Sequence, residues 1–266
     1  MQSENEIKKR VVVKLGTSTL THKTGRLNIR RIERIVKNLA DMHNGGWEII
    51  LVSSGAIGLG MAKLGLIEKP KDTPLKQACA AVGQCELMYF YDKMFSDYNL
   101  NVAQMLLTKY ILLEDRKKNV QNALKELLKF NVIPIVNEND TVAIDELELE
   151  VGENDSLAAT VAVLAEADML VIMSDIDGLY DDDPRKNPEA KLISAVYDID
   201  DHVRELAGGA GTALGKGGMK TKIDAAQIAV ENGIDMLIVN GRDPDVLYDV
   251  FERKPVGTLF KAKENT

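Results

Sequence analysis

Apart from ten methionines, two cysteines and three histidines are the only soft or borderline metal ligands in this 266-residue chain. Cys79 and Cys85 fall in a stretch that reads as helix, on different faces, and are not expected to be bridged. A reduced, cytoplasmic setting is the expectation. His22, His43 and His202 are scattered, no Cys/His spacing suggests zinc, and each reads as a surface histidine. An excess of basic charge is also missing. The formal net charge is −8, which argues against nucleic acid as the main partner. No apolar run approaches the length of a membrane span. The start, MQSENEIKKR, leads straight into a strand and lacks the apolar region of a signal peptide.

The common nucleotide signatures are absent as well. The P-loop needs four residues between its first glycine and the Gly-Lys pair, then Ser or Thr. Here Gly211 and Gly215-Lys216 have three between them, and Gly217 follows. The dinucleotide pattern fails too, because Leu214 and Lys220 stand where a third glycine is required.

What is present is GGAGTALGKGGMKTK, Gly208 to Lys222, with six glycines and three lysines. An apolar stripe at helical spacing follows: Met219, Ile223, Ala226, Val230. A glycine-rich turn entering a helix offers free backbone N–H groups and a positive dipole end, which together make an anion site. Lys216, Lys220 and Lys222 add mobile positive charge. A flexible loop with solvated lysines is the plainer alternative.

With 45% hydrophobic and 28% charged residues, the chain has ample core for one large α/β domain, taken as residues 1–266. Short apolar runs alternate with helical patterns. Strands are expected at 11–15, 47–52, 102–107, 132–136, 169–173, 236–239 and 256–260. Pro134 removes a ladder donor and suggests a bend or an irregular edge. Residues 144–151 alternate apolar and acidic side chains, as an exposed hairpin does. A helix capped by Asn28, a long buried helix over 75–95 and an Ala/Leu/Val helix over 156–165 fill the gaps. This alternation implies a doubly wound, mostly parallel sheet of about eight strands covered on both faces.

In such sheets ligands bind beyond the carboxyl ends of the strands. The segments there are Lys14–Ser18, Ser53–Ala56, Asn137–Asp140, Gly152–Asp155 and Ser174–Gly178, and every one is small, polar or charged. Each has a plainer reading alone: a strand-end lysine, a helix cap, a turn held by its own side chains. Jointly they outweigh those readings, because the fold brings them to one edge.

These segments resemble the amino acid kinase family. The matching stretches are VVVKLGTSTL (11–20), LVSSGAIGLG (51–60), AAVGQ (80–84), QMLLT (104–108), EDR (114–116), VIPIVNENDTVA (132–143), VGENDSLAA (151–159), SDIDGLYDDDPRKNPEAKLI (174–193), GKGGMKTK (215–222) and VGTLF (256–260). They span nearly the whole chain in the family's order. NEND and GGMKTK together are specific to the branch that phosphorylates the side-chain carboxylate of glutamate. Glu153 and Ser174 stand where members often have Asp and Thr. Many members carry a further C-terminal PUA domain, which this chain is expected to lack.

The resemblance implies a three-layer αβα sandwich. It implies transfer of the ATP γ-phosphoryl group to L-glutamate, giving glutamyl 5-phosphate for proline synthesis. Lys14, Lys222 and Asp155 would be catalytic, with the lysines facing the phosphoryl group and Asp155 organising them. Ser54, Asp140 and Asn154 would hold glutamate, Asp140 facing its α-ammonium. Lys14, Gly16, Ser174, Asp175, Lys216, Gly217, Gly218, Met219, Lys220, Thr221 and Lys222 would hold the nucleotide. Mg2+ would accompany ATP, with no protein ligand assigned. Proline would be a feedback inhibitor, and the protein a homo-oligomer, dimer or tetramer. A kinase with another carboxylate, carbamate or UMP acceptor is one alternative. An amino-acid sensor on the same fold is the other.

Overall fold

The structure is a computed structural model. It describes residues 9–22, 24–108, 114–142, 153–208 and 218–263. Eight strands among them form a single sheet: β1 (Arg10–Leu15), β2 (Glu48–Ser53), β3 (Val102–Leu107), β4 (Ile133–Glu138), β5 (Met169–Ser174), β6 (Ala195–Val196), β7 (Asp235–Asn240) and β8 (Thr258–Phe260). Their order is β3-β4-β2-β1-β5-β7-β8-β6. Only β8 against β7 is antiparallel. The helices are α1 (Thr17–Leu20), α2 (Ile29–Asn44), α3 (Ala56–Lys63), α4 (Thr73–Ser96), α5 (Glu114–Lys129), α6 (Glu153–Leu164), α7 (Asp201–Gly208), α8 (Met219–Glu231) and α9 (Val246–Phe251).

The strands are apolar throughout because both faces are covered, and the period of two sorts their side chains. Val12, Val52, Val136, Ile172 and Ile238 face one layer, with α5, α6 and α8. Val11, Val13, Leu51, Ile135 and Val171 face the other, with α2, α4 and α9. The three-layer expectation therefore holds. Lys14 belongs to the even series of β1, so its side chain is sent toward the α6/α8 layer.

The expected cap at Asn28 forms, and Asp72 caps α4, which was not foreseen. Asn28 Oδ1 accepts from the Arg31 N–H at 3.2 Å, and Asp72 Oδ2 accepts from the Leu75 N–H at 3.1 Å. Cys79 and Cys85 are free thiols on α4, one buried and one exposed. Of the two expectations at Pro134, a bend or an irregular edge, the edge is corrected. β4 lies inside the sheet, between β3 and β2. Ile133 donates its N–H to Asn101 of the β3 side at 2.9 Å, so the missing donor of Pro134 falls on the β2 side. There the ladder begins only at Ile135, paired with Leu51. The two-residue β6 has no apolar run to announce it and was not expected. The hairpin proposed at 144–151 lies outside the described residues.

One close approach ties the fold to the functional edge. A Cβ on Gly83 of α4 would sit 1.7 Å from the Ala56 carbonyl oxygen, and one on Gly60 of α3 would sit 1.8 Å from that of Cys79. The two helices touch backbone to backbone. Ala56 opens α3 directly after Ser54 and Gly55, and Gly55 turns the chain with φ +101°, a conformation glycine adopts at little cost. Gly83→Ala should force α3 and α4 apart at a cost of about 1–3 kcal/mol. Thermal denaturation should show a clear fall in Tm. Gly58→Ala, where nothing lies within 4 Å, should stay within about 0.5 kcal/mol of the parent. Equal Tm values for the two variants would refute the close-contact account.

Candidate active site

The carboxyl ends of β1, β2, β4, β5 and β7 open into a cleft of about 1740 Å³. That exceeds the usual range for a single small ligand, roughly 300–1,000 Å³, and leaves room for two. Its lining includes Lys14, Gly16, Ser54, Asp140, Asn154, Asp155, Ser174, Asp175, Gly218, Met219 and Lys222. Lys14 and Lys222, 208 positions apart in sequence, are thus brought to one rim.

Its centre is a buried ionic group. Lys14 Nζ lies 2.7 Å from Asp155 Oδ1, and Lys222 Nζ lies 3.1 Å from Asp155 Oδ2. The Thr221 hydroxyl donates to Asp155 Oδ2 at 2.9 Å. The Asp155 side chain is only 2% exposed. The fold explains the meeting. α6 and α8 pack through Ala158, Ala159, Ala162, Ala225, Ala226 and Ala229, all fully buried. Small residues let the two helices approach closely, so their first turns meet below the end of β1. Asp155 sits in the first turn of α6, where the helix dipole favours an anion. Burial pushes the Asp155 carboxyl up, but Lys14 and Lys222 outweigh that, and its pKa falls below the ordinary 3.8. Burial also lowers Lys14 below 10.5, with Asp155 opposing and Lys222 adding to the fall. One carboxylate between two ammonium groups leaves a surplus positive charge, as a site for anions needs.

A second, neutral group adjoins it. Asn154 Nδ2 donates to Ser54 Oγ at 2.7 Å, to Asn137 Oδ1 at 3.1 Å and to the Ser53 carbonyl at 3.3 Å. Asn137 Nδ2 donates in turn to Gln84 Oε1 of α4 at 2.8 Å. Asn137 follows the odd series of β4, toward the α4 layer. Ser53 does the same on β2 and exchanges a 2.8 Å hydrogen bond with the Tyr91 hydroxyl of α4. The site thus draws on both faces of the sheet.

Asp140 lines the cleft beside Asn137 and Glu138. Ser174 Oγ bonds Asp175 Oδ1 at 3.3 Å at the end of β5. Gly218 caps α8 without a side chain, leaving its first turn facing the cleft. Lys220 is exposed and, with Thr221, is not among the lining residues; the Thr221 hydroxyl is spent on Asp155 and the Gly218 carbonyl. Lys216 and Gly217 lie outside the described residues. Sequence reasoning did not assign roles to Lys76, Arg242 or Gln84. The first two line the cleft, and Gln84 stands behind it. Gln84 lies 53 residues from Asn137 on another element, so no spacing could announce it. Among the described residues no helix is long and apolar enough to cross a membrane, and no cluster of three metal-ligating side chains occurs.

Residues 9–240 match the amino acid kinase family, and the chain belongs to it. A glutamate 5-kinase of Clostridium perfringens is 51% identical over 259 residues, covering 96% of each chain. One of Clostridium tetani is 54% identical, covering 96% of this chain and 95% of that one. One of Carboxydothermus hydrogenoformans is 51% identical over 96% of this chain and 68% of its own. Among solved structures, the UMP kinase of Ureaplasma parvum superposes with a TM-score of 0.63 at 17% identity, covering 96% of this chain and 99% of that one. The isopentenyl phosphate kinase of T. acidophilum gives 0.66 at 18%, covering 95% and 100%. These two speak to the fold alone.

Replacing Asp155 by Asn should leave two buried ammonium groups without their counter-ion, a loss of about 3–5 kcal/mol. The sign with pH follows from the lowered carboxyl pKa. The stabilisation is full above the ordinary value of 3.8 and is lost as pH falls through the lower folded value. Denaturant titrations should show the stability gap between parent and Asp155→Asn constant at neutral pH and, on the acid side, closing only below about 3.8. A gap that closes as pH falls from about 7 toward about 5 would contradict a paired Asp155; on the alkaline side it should narrow, because Lys14 without Asp155 loses its proton more readily.

Proposed function

We infer that this protein transfers the γ-phosphoryl group of ATP to the side-chain carboxylate of L-glutamate, producing glutamyl 5-phosphate for proline synthesis. The observation that carries this reading is the Lys14–Asp155–Lys222 group at the head of a cleft with room for two ligands. Identity near 50% to glutamate 5-kinases over 96% of the chain supports the acceptor. A UMP, carbamate or other carboxylate acceptor has no comparable support. A sensor without catalysis would have no need of buried, charged Lys14.

The chemistry needs no general base. A glutamate side chain ionises with a reference pKa of about 4.3 and is already a nucleophile at neutral pH. A carboxylate oxygen forms the new bond to the γ-phosphorus, and the bond from that phosphorus to the β-bridging oxygen breaks, leaving ADP. The barrier is repulsion between two anions, so positioning and positive charge must lower it. Lys14 would span the attacking and transferred groups. Lys222 would meet charge on the leaving side, and Asp155 would hold both ammonium groups in place. Backbone N–H groups at Gly16 and at Gly218 would cradle phosphoryl oxygens, with Ser174, Asp175 and Met219 completing the nucleotide wall. Ser54, Asn154 and Asp140 would hold the acceptor, Asp140 against its α-ammonium.

Mg2+ would enter on the triphosphate and neutralise part of its charge. The described residues offer no cluster of three metal-ligating side chains, so phosphate oxygens and water would be its main ligands. Proline, which shares the α-ammonium and α-carboxylate of glutamate, would compete near Asp140. The family expectation of a homo-oligomer and a single domain over 1–266 belongs to the same reading.

Trapping the acyl phosphate with hydroxylamine in the presence of glutamate and ATP tests the reaction directly. A panel of other acceptors should give no product. Lys14→Ala should lower kcat by at least ~100-fold with the fold retained, and normal turnover would remove Lys14 from the mechanism. Asp140→Ala should raise KM for glutamate far more than KM for ATP, and parallel changes would place Asp140 elsewhere. High proline should raise the apparent KM for glutamate.

A further inference from the structure

We propose that Gln84, on α4 behind the cleft, is a positioning residue. It supplies the acceptor for Asn137 Nδ2 and so holds in place the amide chain, directed by the main chain, through which the Ser54 hydroxyl presents its hydrogen to the substrate carboxylate. The proposal rests on the reading that this half takes glutamate.

The two ends of an amide side chain match in shape but have opposite hydrogen-bonding sense. The direction of an amide chain must therefore be set by groups that cannot turn round. Here the main chain sets it. The Glu138 N–H donates to Asn137 Oδ1 at 2.9 Å, and a main-chain N–H can do nothing but donate. Asn137 Oδ1 is then an acceptor, and Asn137 Nδ2 faces α4, where Gln84 Oε1 accepts it at 2.8 Å. At the other end, the Ser53 carbonyl can only accept, so the Asn154 atom 3.3 Å away is its nitrogen. That nitrogen also donates to Asn137 Oδ1 and, at 2.7 Å, to Ser54 Oγ. Ser54 Oγ accepts on this side, and its own hydrogen is left to point elsewhere. Ser54 lines the cleft, and an ionised carboxylate is an acceptor only. The donor is thus matched to the anion.

Gln84 gains little else from being an amide. It is 8% exposed, and its Nε2 finds no partner among the described residues. An apolar side chain of similar volume would avoid that orphaned donor. Among the described residues its amide makes one hydrogen bond, to Asn137, so this bond is what the amide serves. Its neighbour Gly83 presses α4 onto the Ala56 carbonyl. Gln84 is therefore held at fixed distance from the Ser54 turn.

The test is steady-state kinetics on the full chain with Gln84→Met and Gln84→Glu. Methionine keeps the volume and loses the acceptor, whereas glutamate keeps an acceptor oxygen for Asn137. Gln84→Met should raise KM for glutamate about tenfold, with KM for ATP within about twofold and Gln84→Glu within about threefold of the parent. In a Ser54→Ala background, Gln84→Met should add almost nothing, because the donor whose amide chain it holds is gone. An unchanged KM in Gln84→Met overturns the proposal. So do equal effects of Met and Glu, parallel rises in both KM values, or a full effect in the Ser54→Ala background. Gln84→Leu stands in should Gln84→Met not fold; failure of both makes Gln84 a structural residue and also overturns it. A parent enzyme that makes no acyl phosphate from glutamate sinks the functional reading and this proposal together. Parent turnover without the Met/Glu difference sinks this proposal alone.

Discussion

Two buried lysines share one buried carboxylate, and the rest of the structure is arranged around that fact. Removing charge from water is expensive, and an ion pair repays it only when the geometry is good. Here it is not repaid in full, because the group carries one positive charge too many. A second carboxylate bonded to the lysines would balance it, whereas Asp175, which lines the same cleft, attracts Lys14 less strongly than Asp155 does. No carboxylate would leave Lys14 and Lys222 to repel each other. One carboxylate between two lysines is the arrangement that keeps both side chains in place and still attracts anions. The lowered pKa of Lys14 records the strain of that choice, since burial and Lys222 both work against its charge.

The fold pays for this group with packing elsewhere. Lys14 is placed by the period of two along β1, the central strand between β2 and β5. Asp155 and Lys222 are placed by alanines that let α6 and α8 approach. Ser54 is placed by a turn that needs Gly55 and by the backbone contact of Gly83 with Ala56. None of these supporting residues carries a polar side chain. Fixing the site is a matter of small residues that permit close approach, which is why a single added methyl group at Gly83 is expected to be felt.

That division also explains what could be read from the sequence. Lys14, Ser54, Asp155 and Ser174 stand at or just after strand ends, and a doubly wound sheet delivers such positions to one edge. Parallel strands with both faces covered were legible from their continuous apolar runs. Pro134 misled, because a missing donor looks the same at an edge as in the interior; only the β3 bond of Ile133 shows which side lost its partner. β6 was silent because two residues cannot display a period. Gln84 lay in the matching stretch AAVGQ, but its role was silent for another reason. Its role depends on Asn137 and Asn154, which reach it through three-dimensional contact, while its own context reads as one more turn of a buried helix.

The two halves of the site use different physics, and that difference bears on acceptor choice. The phosphoryl half is charged: long-range attraction suits a ligand whose charge is large and whose transition state spreads it over several oxygens. The half proposed for the acceptor is, apart from Asp140, mostly neutral amides and hydroxyls, whose attraction is short and directional. Solved neighbours at 17–18% identity keep the fold although one is a UMP kinase and another an isopentenyl phosphate kinase. On the reading proposed above, choice among acceptors falls to groups that demand a particular donor and acceptor pattern. Orienting an amide chain from the main chain, through Glu138 and Ser53, sets such a pattern without adding charge that would disturb Lys14 and Lys222. On the proposed reading specificity would be held by hydrogen-bond direction and rate by the surplus charge, and the two could change independently.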